Sequence, residues 1–141
     1  RHEHNGEITT LVSQAHGQRL NAPNDVVVKS DGSIWFSDPL YGLMNDYEGG
    51  RQASEQAPAL YRLDPATGVA QAMASDFDGP NGLAFSPDGR TLLFVSDRAD
   101  GSHGEKSEDG EGRRPAGVVD RQINDLTLNG AFQQRSTITP A

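Results

Sequence analysis

Two asparagines stand in matching settings. Asn24 lies in "NAPNDVVVKSDGSIWFSD", residues 21–38, and Asn81 in "GPNGLAFSPDGRTLLFVSD", residues 79–97. Each follows a proline and leads into an apolar run. A carboxamide oxygen is a hard, uncharged donor of the kind that Ca2+ and similar oxygen-seeking cations take. The proline fixes φ just ahead of each asparagine and biases the geometry of the loop, which helps to hold a ligand in place. An asparagine ahead of a strand is also an ordinary turn former, so neither residue says much alone. Two of them in equivalent places say more. Asp25 adjoins the first asparagine, where it could stand behind a metal ligand and orient it, or close an Asx-type turn. Its counterpart in the second stretch is Gly82. Asp38 and Asp97 end the two stretches. They cap the loops that follow, the role we favour, or, for Asp38, face a pocket and a substrate. Tyr41 and Arg51 follow Asp38 in a polar segment and are candidate substrate contacts, against the plainer reading of a solvated loop.

Other chemistry finds little support. The histidines, His2, His4, His16 and His103, are scattered, and no HExxH spacing occurs. A GxSxG nucleophile elbow, a GxGxxG loop and a phosphate-binding loop are absent. The 141 residues include no cysteine, which removes disulfide and thiolate chemistry and leaves the redox compartment open. A net charge of −8 argues against nucleic-acid binding, which needs a basic surface. No apolar run approaches the length of a membrane span. Residue 1 is not Met and no signal peptide is visible in "RHEHNGEITTLV", so this end is expected to be a processed, cloned or truncated terminus. Whether the chain is cytoplasmic or periplasmic is not legible.

The elements that must position the asparagines repeat. Aligning Asn24 with Asn81 sets Asp25–Val28 against Gly82–Phe85, Asp31-Gly32 against Asp88-Gly89, and Ser37-Asp38 against Ser96-Asp97. Each copy reads as strand, Asp-Gly turn, strand, a strong local hairpin signal because glycine supplies the positive φ. Further strand pairs are expected at Ala59–Leu63 with Val69–Ala74, and at Val118–Leu126 with Ala131–Ile138. Residues Glu7–Val12 read as the last strand of a preceding unit. Apolar residues make up 34% of the chain, with 16 glycines and 8 prolines, which suits a turn-rich all-β protein. Four-strand units recurring at roughly 40–50 residues favour blades of a β-propeller over a β-sandwich. Residues 1–20 then end one blade, 21–78 form the next, and 79–141 form another, with a charged, glycine-rich excursion over 98–117 that is expected to be flexible. The long connection Leu40–Pro58 is expected to cover the channel mouth or to be mobile. In such a toroid the loop leading into the first strand of each blade sits at the channel mouth. Asn24 and Asn81 would therefore converge on one axial point.

In order along the chain, "RLNAPNDVVVKSDGSIWFSDPLYG", "LYRLDPATG" and "PNGLAFSPDGRTLLFVSD" resemble the gluconolactonase branch of the senescence-marker-protein/gluconolactonase/luciferin-regenerating-enzyme family. The resemblance spans about residues 3–97, with a weaker match over 118–139. It implies a six-bladed propeller of the calcium-dependent phosphotriesterase/gluconolactonase type. It also implies a divalent metal in the central channel, Ca2+ ahead of Zn2+ or Mg2+, and hydrolysis of a sugar lactone to the sugar acid by a carboxylic ester hydrolase. The asparagine in the position of Asn81 binds the metal, and the one in the position of Asn24 binds metal or substrate.

The resemblance further implies a metal-binding glutamate early in the first blade, and an aspartate heading a later blade that is ligand and proton acceptor. Neither falls in this chain, which carries about two to two and a half blades, whereas a closed ring needs at least about four. A fragment, a truncated product, or a chain that covers its open blade edges by self-association is therefore expected. Its activity as it stands is expected to be weak or absent. Two alternatives to a lactonase remain: a non-catalytic propeller module that binds a partner on one face, and a phosphotriesterase or arylesterase on the same scaffold.

Overall fold

The computed structural model describes residues 1–47, 49–77, 79–97 and 118–122. The chain forms a short hairpin and two larger antiparallel sheets. The hairpin pairs β1 (Gln14–Ala15) with β2 (Gln18–Arg19). His16 (φ 53) and Gly17 (φ 77) form its two-residue turn, both in the left-handed region that such tight hairpins require. The first sheet has the order β3 (Val26–Val28), β4 (Ile34–Asp38), β5 (Ala59–Asp64), β6 (Val69–Ala74). A four-residue helix, α1 (Tyr41–Met44), lies between β4 and β5. The second sheet has the order β7 (Gly79–Phe85), β8 (Thr91–Asp97), β9 (Val118–Gln122). Among the described residues no helix is long and apolar enough to cross a membrane.

The Asp-Gly hairpins form as the sequence predicts. Gly32 (φ 86) and Gly89 (φ 67) close equivalent turns, with Gly32 N donating to Lys29 O at 2.9 Å and Gly89 N to Ser86 O at 2.8 Å. An aspartate fastens each turn. Asp31 Oδ1 accepts from Ser33 N and Ser33 Oγ, and Asp88 Oδ1 accepts from Ser86 Oγ and Arg90 N. Slight burial pushes the Asp31 carboxyl up, but the two Ser33 bonds outweigh it and hold it below the usual range. At Asp88 the Ser86 hydroxyl leads in lowering the carboxyl. The turn between β5 and β6 follows the same rule, with Gly68 N donating to Asp64 O at 2.8 Å.

Strand alternation sends the first sheet's side chains to two cores. Phe36, Tyr61, Leu63 and Ala70 face one side, where Ala15 and Leu20 of the amino-terminal segment cover them, with Leu11 and Val12 alongside. Trp35, Leu60 and Met73 face the other side and meet Leu92 and Phe94 of the second sheet. Cross-strand neighbours Phe36 and Tyr61 stack at 5.3 Å, while Trp35 and Phe85 meet edge to face across the two sheets at 5.6 Å. Such pairs add roughly 0.5–1.5 kcal/mol beyond the area they bury. Trp35 Nε1 donates to Ser33 Oγ at 3.0 Å, so the buried indole keeps its hydrogen bond. A sheet buried on both faces between neighbours is what a blade requires.

Two expectations meet the structure with a difference. Glu7–Val12 forms no strand; its one ladder contact is an isolated bridge between His2 and Ile8. Its neighbour among the described residues is the short stretch at 1–3, where Glu3 N donates to Glu7 O and Thr9 N to Arg1 O, each at 2.8 Å, too short a partner to build a strand over the segment. The connection Leu40–Pro58 is not a free flap. Gly50 N and Gln52 N donate to Gly42 O and Leu43 O, and its far end is bonded to the β2 region through Gln18, Arg19 and Asn21. Of the strand read over Val118–Leu126, the described residues form β9 over Val118–Gln122, and 123–126 lie outside the described residues. The excursion at 98–117, His103 and the strand at Ala131–Ile138 lie outside the described residues.

Candidate functional site

The loop leading into β3 is held by the end of β4. Asn24 N donates to Ser37 O, Ser37 N donates to Asp25 O, and Asp25 N donates to Ser37 Oγ, each at 3.0 Å. Ser37 is fully buried, so these bonds are shielded from water. Further back in the loop, Asn21 N donates to Asp38 Oδ2 at 2.9 Å and Ala22 N to Asp38 Oδ1 at 2.8 Å. Proline at 23 and this pair of anchors leave Asn24 at the exposed tip, with its backbone fixed.

Asn81 reaches the same place by another route. β7 pairs with β8 at Gly79↔Asp97 and Pro80↔Ser96, loses register, and resumes at Leu83↔Phe94. Asn81 and Gly82 therefore occupy a bulge, a device that bends a strand and re-aims a side chain. The outcome is a contact across the two sheets: Asn24 Nδ2 donates to Asn81 Oδ1 at 2.9 Å. The two carboxamides read as a pair from the sequence are brought together. Asp25 sits beside them. Its Oδ1 accepts from Val26 N at 2.9 Å, an Asx-type contact, and its Oδ2 accepts from Leu83 N of β7 at 2.6 Å. Asp25 thus closes a local turn with one oxygen, the Asx-type reading, and bonds the neighbouring strand with the other.

Asp38 corrects an expectation. It was a candidate substrate contact, yet it is 0% exposed and both of its oxygens are taken by the backbone of Asn21 and Ala22. It presents nothing to a substrate, and instead of capping the loop that follows it, it anchors the loop leading into β3. Burial pushes its carboxyl above the usual range, opposed by the two backbone donors. Burial likewise raises the Tyr61 hydroxyl, with Asp38 adding to the effect; that hydroxyl donates to Gln56 Oε1 at 2.8 Å.

Tyr41 opens α1 and is half-buried. Its hydroxyl donates to Gly79 O at 3.1 Å, two residues before Asn81. It lies at the margin of the asparagine pair rather than in the solvated loop. Arg51 is exposed, and its backbone N donates to Asp46 Oδ1 at 3.0 Å. Asp97 pairs with Gly79 at the head of β7. Ser37 was overlooked as a site residue. Its signal was the recurrence of Ser-Asp at the end of both copies, which in the first copy marks where β4 reaches the loop it holds.

The two carboxamides meet through Asn24 Nδ2 and Asn81 Oδ1, and a carboxamide oxygen is a hard, uncharged donor of the kind an oxygen-seeking divalent cation takes. They are not a complete ligand set. Among the described residues no group of three or more His, Cys, Asp or Glu is placed to hold a metal.

Sheets of this kind, stacked face to face about loops that converge, define a β-propeller, of which the chain holds part. The model of the SMP-30/Gluconolactonase/LRE-like region matches residues 2–105, and the chain belongs to that family. It is 35% identical over 101 residues to the lactonohydrolase oryL of Aspergillus oryzae, covering 69% of this chain and 22% of that protein. It is 38% identical over 93 residues to the gluconolactonase of Zymomonas mobilis, covering 64% and 25%. A solved gluconolactonase from Xanthomonas campestris superposes with a TM-score of 0.72 at 35% identity, over 87% of this chain and 36% of that one. The chain thus spans about a quarter of the length of the curated relatives it matches.

Proposed function

We propose that this chain carries part of the metal site of a sugar-lactone hydrolase, with Asn24 and Asn81 as neutral ligands. The observation that carries the reading is the meeting of the two carboxamides at 2.9 Å across adjacent sheets, in a chain whose relatives are named lactonohydrolase and gluconolactonase. A divalent cation, Ca2+ foremost, would supply Lewis-acid polarisation of a lactone carbonyl when bound. The chain's own residues do the holding. Asn81 offers its amide oxygen from the β7 bulge, and Asn24 offers its carboxamide to metal or substrate from the loop tip. Ser37 and Asp38 keep that loop from moving with its load. The acidic ligands and the proton acceptor for an attacking water would come from residues beyond those described, so hydrolysis by these residues alone is weak.

The test combines binding with a substrate panel. Ca2+ and a sugar δ-lactone together should raise the melting midpoint more than the lactone alone, since a ligand of the folded state stabilises it by mass action. Asn81→Ala should remove the Ca2+ component. A lactone, an aryl ester and a phosphotriester compared in the same assay distinguish a lactonase from an esterase or phosphotriesterase on this scaffold. A chain whose melting is indifferent to Ca2+ in every combination is a binding module instead, and the proposal fails.

A further inference from the structure

Asn81 stands in a register break, and both flanks of that break are held from the first sheet. On one side the Tyr41 hydroxyl donates to Gly79 O at 3.1 Å. On the other, Asp25 Oδ2 accepts from Leu83 N at 2.6 Å. The strand partner β8 pairs with Pro80 and again with Leu83, which leaves Asn81 and Gly82 between two ladder contacts and two foreign ones. We propose that Tyr41 and Asp25 are positioning residues: together they fix the β7 bulge and so aim the Asn81 carboxamide at Asn24. For its consequence in cation binding the inference rests on the reading of Asn81 as a ligand; for its geometry it does not.

Both clamps start from one rigid place. Asp25 is tied by three bonds, from its own N to Ser37 Oγ, from Ser37 N to its carbonyl, and from Val26 N to its Oδ1. Ser37 is fully buried at the end of β4. Tyr41 follows Asp38 and Pro39, also buried, so the helix that carries it starts from the same strand end. A frame fixed in the first sheet thus determines where a side chain of the second sheet points. A charged acceptor on a partly shielded N–H makes the stronger of the two clamps. The clamp does not depend on glycine at 82: a methyl group there would lie 3.8 Å from Asp25 Oδ2, in ordinary contact. A plain structural role for Asp25 and Tyr41 would stabilise the fold without orienting Asn81, and the test must separate the two.

The experiment uses the whole 141-residue chain, 15N- and 13C-labelled and without added metal. The readout is the cross-relaxation between the Asn24 and Asn81 side-chain amides. It is compared in wild type, Tyr41→Phe, Asp25→Asn and the double variant, with Asp88→Ala as a control that loosens the second sheet at a distant turn. The proposal expects the cross-peak to weaken in each single variant and to vanish in the double variant, while the control keeps it. An unchanged cross-peak in the folded variants would overturn it. Should the double variant not fold, Tyr41→Phe decides alone, because it removes one hydroxyl and leaves the ring packing. A Ca2+ titration forms the second arm. Where wild type binds, the single variants should bind about tenfold more weakly, the usual cost of losing a group that orients a ligand. Wild type that binds no Ca2+ sinks the ligand reading and leaves the cross-peak result standing; equal Ca2+ affinity in all forms with an intact cross-peak sinks the positioning role.

Discussion

The two Pro-Asn units share a turn and a strand pair, yet they hold their asparagines by different means. In the first, Asn24 rides on a loop outside β3, pinned by the buried Ser37 and Asp38 of the adjacent strand. In the second, Asn81 lies inside β7, in a bulge braced from the neighbouring sheet. The divergence centres on one aligned position, Asp25 against Gly82. An aspartate in the first unit reaches over to the strand beside the glycine of the second. A repeat that copied itself faithfully would place a carboxylate in both units, with nothing for the second to brace among the described residues. Small differences between copies are what turn a stack of similar hairpins into an asymmetric site.

The comparison can be broken most severely at the seam. Trp35 packs between the sheets with Leu92 and Phe94 and is 1% exposed. Trp35→Ala should cost about 3–5 kcal/mol in chemical denaturation. Amide exchange should quicken in β4 and β8 together; loosening of one sheet alone would mean that the units are independent.

Next in size is the anchor of the first unit. Asp38→Asn keeps one acceptor for two backbone donors and should cost about 1–3 kcal/mol near neutral pH. The pH profile carries a sign. Asp38 has its folded pKa raised above the ordinary value of 3.8, so its proton-linked stability is complete below 3.8 and is lost as pH rises through the raised value. The gap between wild type and Asp38→Asn should therefore widen as pH falls from neutral toward 4 in thermal melts. A gap that narrows would contradict the burial-dominated environment.

The turns sharpen the comparison because here the units should agree. Gly32 and Gly89 both have positive φ; a methyl would meet nothing within 4 Å at Gly32 and, at Gly89, only Lys29 Cε at 3.8 Å and Ser30 Oγ at 3.9 Å, both ordinary contacts. Gly32→Ala and Gly89→Ala should each cost about 1–2 kcal/mol, from backbone strain alone. The smallest effect falls where the units differ. Gly82→Ala meets only Asp25 Oδ2 at 3.8 Å and should change stability by less than about 0.5 kcal/mol. A large loss there would show that the bulge needs glycine itself rather than the brace beside it.

Much of this was legible in the sequence, for reasons that are local. Asp31-Gly32 and Asp88-Gly89 announce their hairpins through turn chemistry, and the matched Pro-Asn pairs mark the two places that meet. The departures come from contacts distant in sequence. The β7 bulge exists only relative to β8, so nothing in "GPNGLAF" reveals it. Asp38 shares the strand parity of Phe36, which points it inward; a carboxylate is usually counted as exposed, and only its two backbone donors make burial tolerable. The polar stretch at 52–56 reads as solvated until Gln18, Arg19 and Asn21 are seen to bond it from more than thirty residues away.

The central claim is that Asn24 and Asn81 act as one ligand pair. Melting the chain with and without millimolar Ca2+ tests it most directly, on wild type, Asn24→Ala, Asn81→Ala and the double variant. The account predicts that wild type gains stability with Ca2+, that each single variant loses most of that gain, and that the double variant loses no more than either. An equal Ca2+ response in all four proteins would contradict it.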